Sequence, residues 1–374
     1  MGCAYRAPDT ARPVSPPPAA PIPAAPLTGV PAPWNELAGR LAAQGLPRDR
    51  VAAFFSAPEL TYIQNPMETK LRELFGIFYK SDLTRDIQEK LYQLGYEVLI
   101  DGRSGPGTKK AIQAFQKDRH LTPDGRGGEV LAAVLTQLVK KERKRSLAEY
   151  KPPAAAAPSR SATYPQFTKP QALHQIQGYY LQDRPLFEQM TRVYQVPGAL
   201  ACAIMWVETG YGNFFGKNKA AQVLASMAAA ADYRLVAPVL SDLETDPESR
   251  AFLAENARQR GQWAQDELAA LLTYAWQNGL DPLSFPGSIY GAIGYGQFMP
   301  SNVAKYAADG NGDRRIDLFD KSDAIFSIGR FLQEHGWPAA SGEEQKRAVI
   351  MRYNKSGTYV NTVLYVARTL DPGV

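Results

Sequence analysis

The chain has 374 residues, 45% of them hydrophobic and 21% charged, with a formal net charge of +5 and a pI near 9.0. That length holds two or three domains and at least one sizeable core, and the composition is that of a globular protein rather than a disordered or fibrous one. The positive excess is diffuse and no nucleic-acid-binding motif accompanies it, so a nucleic-acid partner is not expected; a basic surface would equally suit a polymer bearing carboxylates.

Residues 1–33 open on Met1-Gly2-Cys3 and then hold nine prolines between 12 and 33. Such a stretch is extended and builds no core. Gly-Cys at the start looks like a mature bacterial lipoprotein whose leader has been replaced by Met, and a lipid on Cys3 would make the proline-rich segment a stalk. No signal-peptide core follows Met1, and no run approaches the ~20 apolar residues of a membrane span. The other cysteine, Cys202, lies in an apolar run and reads as a small core residue. A Cys3–Cys202 bond is not expected, and His120, His174 and His335 are too scattered for a Cys/His metal site.

Residues 34–80 show helical spacing at Leu37, Leu41 and Leu46, at Val51 and Phe54-Phe55, and at Leu71, Leu74 and Phe75, with breaks at Pro47 and Pro58. Residues 84–139 predict a compact three-helix unit. Ile87, Leu91 and Leu94 form its first face. The glycine-rich loop 101–108 leads to Ala111, Ile112 and Phe115, and the turn at Pro123-Asp124-Gly125 leads to Val130, Leu131, Val134, Leu135 and Leu138. The basic cluster Lys140–Arg145 reads as a solvated helix end running into a linker at 146–167. From 168 onward the periodicity is helical again. Asp183-Arg184-Pro185 predicts a helix start with Leu186, Met190 and Val193 as its buried face. Further faces are Leu268, Leu271, Leu272 and Ala275, then Ile325, Ile328, Phe331 and Leu332, and last Val360, Val363, Leu364 and Ala367. No segment alternates as a strand for long. The fold class is mainly α.

Three segments could carry chemistry. Glu208 ends the apolar run Pro197–Val207 and is followed at once by Thr209-Gly210-Tyr211-Gly212. A carboxyl so placed is poorly hydrated, which favours its neutral form and suits a general acid. In Gly287–Asn302, four glycines stand among hydroxyls and an amide. Ser288 and Gln297 offer hydrogen bonds to hydroxyl and acetamido groups, and Tyr290 and Tyr295 offer flat faces to sugar rings. Around Tyr353-Asn354 a phenol and an amide precede a helix, where they serve either a ligand or a helix cap.

Trp206–Gly212, Gly294–Asn302 and Tyr353-Asn354, in this order and with this kind of spacing, resemble the membrane-bound lytic murein transglycosylases of the B type, of the lysozyme-like superfamily. The similarity covers about residues 168–370. The helices at 34–80 resemble that family's amino-terminal segment and are expected to pack on the catalytic body. The bundle at 84–139 is similar to the type 1 peptidoglycan-binding domain, on Leu91, Leu94-Gly95-Tyr96, Asp101-Gly102, Gly105-Pro106, Thr108, Ala111 and Ala114-Phe115-Gln116. The resemblance therefore implies a lysozyme-like catalytic domain with an inserted three-helix peptidoglycan-binding bundle. It implies Glu208 as sole acid and base, cutting the MurNAc–GlcNAc bond of peptidoglycan to a 1,6-anhydro end, with no cofactor for the chemistry. Ser288, Gln297 and Tyr353 would bind substrate or orient the glutamate, and Tyr290, Tyr295 and Asn354 would help hold the glycan. It places the chain in a bacterial periplasm, as a monomer, with outer-membrane anchoring if Cys3 carries lipid. A hydrolytic muramidase and an inactive wall-binding scaffold are the rival readings.

A last pattern is Asp309, Asn311, Asp313, Arg315, Asp317 and Asp320, which matches the ligand positions of an EF-hand calcium loop. Members of the resembled family carry such a loop. Arg314 stands where that loop has glycine and Asp320 where it has a bidentate glutamate, and both should weaken binding. The alternative is a loop of Asx turns that only caps the next helix. Phe331 stands where some relatives have tyrosine.

Overall fold

The computed structural model describes residues 27, 29–152, 162–244, 246–339 and 342–374. Cys3, most of the proline-rich stretch and the centre of the second linker lie outside them. Within them the chain is helical as expected, with two strands of two residues each, β1 (Asn218–Lys219) and β2 (Pro286–Gly287). Sixteen α-helices are described: α1 (Asn35–Ala43), α2 (Arg48–Phe55), α3 (Asn65–Phe78), α4 (Asp82–Gln93), α5 (Pro106–Asp118), α6 (Glu129–Glu142), α7 (Pro165–Thr168), α8 (Pro170–Gln182), α9 (Arg184–Tyr194), α10 (Gly198–Thr209), α11 (Ala220–Ala229), α12 (Pro247–Gln277), α13 (Pro300–Tyr306), α14 (Lys321–Glu334), α15 (Glu343–Tyr353) and α16 (Gly357–Leu370). None is long and apolar enough to cross a membrane.

The described residues fall into two compact units. One gathers residues up to 62, 162–225 and 264–374; the other gathers 63–152 and 226–263. The division does not follow the boundaries expected from the sequence. Residues 34–62 belong to the first unit, where Arg40 Nε donates to Gln265 Oε1 at 2.7 Å and Gln44 donates to Asp266. Residues 63–80 belong to the second, where Arg72 forks onto Asp242 and Tyr79 donates to Asp246.

In the first unit α10 is the central element. Residues 198–206 are all buried, and α8, α9, α14 and α16 pack around it. A helix apolar on every side must be wrapped on every side. The faces expected at 268–275, 325–332 and 360–367 are buried. On α9 the buried pair is Phe187 and Met190, while Val193 is 53% exposed, a correction of the expected face. Phe187 takes the inner place because Gly198 allows its backbone to come close; a Cβ there would lie 2.5 Å from Phe187 Cβ.

In the second unit α4, α5 and α6 enclose a small core of Ile87, Leu91, Leu94, Ala111, Ile112, Phe115, Ala132 and Leu135. Gln88 ties its loop. The side-chain amide donates to Asp101, to the Arg103 carbonyl and to Thr108, and its oxygen accepts from the backbone of Asp101 and Gly102. A buried amide with both ends satisfied fixes the loop more firmly than glycine and proline alone could. Val130 and Val134, expected inside, are exposed; Ala132 and Leu135 take the inner positions.

Candidate active site

Glu208 sits half-buried in the last turn of α10, one residue before the helix ends. The termination is sharp. Gly210 N–H donates to the Trp206 carbonyl and Tyr211 N–H reaches back to the Met205 carbonyl, the reciprocal closure of a left-handed helix end. Three successive residues, Gly210, Tyr211 and Gly212, have positive φ of 60°, 61° and 89°. Tyr211 bears the steric cost of that conformation, on the order of 1 kcal/mol, and the surroundings hold it there. Its hydroxyl donates to Asp183 Oδ2 at 2.8 Å, and its ring stacks on Tyr179 at 4.8 Å. Lys321 Nζ donates to the same Asp183 oxygen at 2.6 Å. Burial above all pushes the Tyr211 phenol far above its ordinary pKa, so it stays a donor to Asp183.

Thr209, buried, links this turn to the glycine-rich segment. Its hydroxyl accepts from Gly212 N–H at 3.0 Å, and its proton lies between the carbonyls of Met205 and Tyr295, each 3.1 Å away. Gly212 has no room for a side chain, because a Cβ would lie 2.3 Å from Tyr295 Cε1. The Tyr295 ring meets Phe215 edge-on at 5.0 Å.

Residues 287–298 form a compact double reversal. β2 pairs with β1 antiparallel, Gly287 also bridges to Ile293, and Ile293 bridges to Phe298. Within it Ser288 Oγ accepts from the backbone of Tyr290 and Ala292, and Gln297 Nε2 donates to the Gly294 carbonyl at 3.0 Å. Tyr353 reaches the segment from the end of α15, its hydroxyl donating to the Gly296 carbonyl at 2.5 Å.

A cavity of about 850 Å³ opens beside Glu208. Glu208 and Asn354 line it; Ser288, Tyr290, Tyr295, Gln297 and Tyr353 are not among its lining residues. The latter are joined to the Glu208 turn through the Thr209–Tyr295 and Tyr353–Gly296 hydrogen bonds. The wall also includes Tyr164, Phe167, Trp206, Phe214, Ser356 and Tyr359, and along α8 Gln171, Ala172 and Gln175. The sequence reading missed the 164–167 part of this wall because it treated 146–167 as linker, and it singled out none of the polar residues of α8. The aromatic spacing of Tyr164 and Phe167, with Pro165 and Pro170 opening two successive helices, was the available signal. Glu208 is the sole carboxylate among the described residues that line the cavity.

The acidic loop is laced by hydrogen bonds from its own backbone to its side chains. Asp309 accepts from the backbone of Gly312 and Arg314, Asn311 from Asp313, Asp313 from Arg315, and Asp317 from Phe319. Asp320 caps α14 by accepting from Asp323 N–H. Among the described residues no three Asp, Glu, His or Cys side chains gather as a metal-holding set. Of the expected calcium ligands, Asp309, Asn311, Asp313, Asp317 and Asp320 each accept a backbone N–H in the loop's own turns or in the cap of α14, and Arg315 would offer its backbone carbonyl. The organiser is Asp323, unforeseen in the sequence. It is 1% exposed and accepts from Gly310 N–H at 2.8 Å and Asp317 N–H at 2.7 Å. Its burial raises the pKa of its carboxyl above the usual range.

Comparison with known proteins gives the family. Residues 107–346, well over half of the chain, match the family described as the transglycosylase SLT domain. The membrane-bound lytic murein transglycosylase B of Escherichia coli strain K12 is 34% identical over 146 residues, 39% of this chain; the matched part spans 33% of that protein. The soluble lytic transglycosylase SltB1 of Pseudomonas aeruginosa aligns with a TM-score of 0.46 at 19% identity, covering 72% of this chain and 99% of that one. The E. coli lytic transglycosylase Slt35 in complex with bulgecin A aligns with a TM-score of 0.46 at 20% identity, covering 76% of this chain and 98% of that one. The chain belongs to the transglycosylase SLT domain family.

Proposed function

We propose that the protein is a lytic murein transglycosylase of the bacterial envelope, and that Glu208 acts first as acid and then as base. Glu208 gives its proton to the oxygen linking C1 of N-acetylmuramic acid to N-acetylglucosamine, and that bond breaks. The resulting carboxylate takes the proton of the muramyl 6-hydroxyl, whose oxygen bonds to C1. The products are a glycan with a free 4-hydroxyl and a 1,6-anhydro end, and Glu208 is protonated again. No water is consumed.

One observation supports this over hydrolysis: a single carboxylate lines a cavity of about 850 Å³. Hydrolytic glycosidases use a pair flanking the bond, one of them to activate water or attack C1. The aromatic and amide lining suits sugar rings and acetamido groups, and Trp206 is held by its Nε1–H donating to the Phe167 carbonyl at 3.4 Å. Tyr353 and Thr209 would position Glu208 through the 294–298 segment, with Ser288, Tyr290, Tyr295 and Gln297 contributing on the same segment. No cofactor enters any step.

Mass spectrometry of products released from purified murein provides the test. Anhydro ends are lighter than hydrolysed ends by one water, and Glu208→Gln should cut their release by about 10³-fold, within the span of general acid–base contributions. Hydrolysed ends, or equal release by the variant, would overturn the reading.

The second unit would hold the polymer. A depression of about 540 Å³ beside α6 is lined by Leu121, Asp124, Arg126, Val130 and Val134, of which Val130 is 82% exposed. Binding there would raise the local glycan concentration at the first unit.

A further inference from the structure

Where the lactyl carboxyl is tied up as the amide to the peptide, the murein glycan backbone carries no charge; hydroxyl and acetamido groups decorate it. The charge lies on the peptide branch attached through the lactyl ether, chiefly as carboxylates. The cavity beside Glu208 is nearly neutral to match, lined by aromatic rings, amides and hydroxyls with two exceptions. One is Glu208. The other is Lys169, the sole cation among the described residues that line it.

Lys169 is firmly placed for an exposed lysine. It forms the junction of α7 and α8, with φ −66° and ψ 150°. The ring of Pro170 restricts the residue before it to that extended region. Its N–H donates to the Pro165 carbonyl at 3.2 Å and its carbonyl accepts from Leu173 N–H at 3.0 Å. The backbone is therefore fixed at both peptide groups, and only the side chain has freedom. No ion pair engages its ammonium among the described residues, whereas the nearby Lys321 is paired with Asp183. Along α8, Gln171 and Gln175 stand one turn apart on the same cavity wall. An ammonium followed by two amides makes a strip that fits a carboxylate and the peptide groups leading to it.

We infer that Lys169 reads a carboxylate of the substrate's peptide branch, so that the enzyme selects peptide-bearing over bare glycan. The inference rests on the proposed role of Glu208 and deepens it by naming what the Lys169 part of the cavity wall recognises. Lys169 is a specificity residue; it takes no part in the proton transfers.

The experiment uses the full chain and two substrates, intact murein glycan and the same glycan stripped of peptide by an amidase, with the lactyl carboxylates so freed capped as methylamides. Anhydro-product release is measured for the parent, Lys169→Met and Lys169→Glu at low and high salt. The parent should favour the peptide-bearing substrate. Lys169→Met should raise KM for it by about 3- to 10-fold, the range of a charge-assisted contact in a partly open cleft, with kcat within about twofold. Lys169→Glu should raise it further, and salt should narrow the gap between parent and variants. On stripped glycan all three should perform alike. Equal losses on both substrates would mean that Lys169 supports Glu208 itself, and unchanged KM on the peptide-bearing substrate would mean that it contacts nothing; either result overturns the inference. No product from the parent on either substrate would instead remove the proposed reaction on which it rests.

Discussion

Two turns in the first unit invite comparison, the one after Glu208 and the acidic loop before α14. Each forces a residue other than glycine to positive φ, Tyr211 at 61° and Arg314 at 69°. Each is dense in groups that suggest chemistry. The difference lies in what holds them. Tyr211 is buried, stacked on Tyr179 and bonded through its hydroxyl to Asp183. Arg314 is exposed, and its N–H donates to Asp309 Oδ2 within the loop itself. The first turn is fixed by tertiary packing and therefore presents a side chain reproducibly to a cavity. The second is held by hydrogen bonds among its own residues and by the buried Asp323 at the start of α14, and its acidic groups accept from the loop's own backbone.

The sharpest way to break this contrast is Gly212→Ala. An added methyl would overlap Tyr295 and would sit at a φ of 89°. The two penalties together should cost about 3 kcal/mol, read as a lower denaturant midpoint and as a loss of product release well beyond the loss of folded protein. Asp323→Asn comes next. One amide oxygen cannot accept as well as the two carboxylate oxygens do from Gly310 and Asp317, and an amide donor is forced on one of those N–H groups. A loss of about 2 kcal/mol is expected. The same substitution carries a pH signature. The folded-state pKa of Asp323 is raised, so its contribution is complete below the unfolded carboxyl pKa and is lost as pH rises through the folded value. An asparagine at that position does not titrate. The margin of the parent over D323N, read from the thermal midpoints of the two proteins, should therefore widen as pH falls from neutral toward the carboxyl range.

Lys321→Met should cost about 1–2 kcal/mol, because it leaves the mostly buried Asp183 carboxylate resting on the Tyr211 hydroxyl. Unlike the Asp323 change, it should also slow product release by disturbing the turn that carries Glu208. Arg314→Gly should act in the opposite direction and stabilise by about 0.5–1 kcal/mol, since glycine adopts that φ without strain. Smallest of all, calcium at millimolar concentration or its removal by chelator should move the thermal midpoint by less than about 1 °C, since the loop's oxygens are engaged in its own turns and an ion that does not bind the native state cannot stabilise it. A rise of several degrees would show that the loop rearranges to bind the ion.

Much of the fold was legible. The helical faces at 268–275, 325–332 and 360–367 lie in the core because apolar periodicity reports burial directly. The apolar run 197–207, in which Cys202 reads as a core residue, is α10, with residues 198–206 all buried. The misplacement of Val193 on α9 has a packing cause, the close approach allowed by Gly198, which one-dimensional spacing cannot show. Glu208 and Asn354, singled out from their local context, line one cavity. Lys169, Gln171 and Gln175 were not, because nothing in a proline-flanked polar stretch reveals which wall it will face. The acidic loop shows the converse. Ligand spacing was legible, but the part that the buried Asp323, three residues past the pattern, plays in holding the loop was not.

Asp183 gives the comparison its last consequence. One carboxylate oxygen receives both the Tyr211 hydroxyl and the Lys321 ammonium, so the residue that follows the acidic loop and the turn that follows α10 share a single anchor. A change of length in that exposed loop would shift Lys321 and pull on the same point from which the Glu208 turn hangs. The register of the loop is thereby tied to the turn after Glu208, more than a hundred residues before it in the chain.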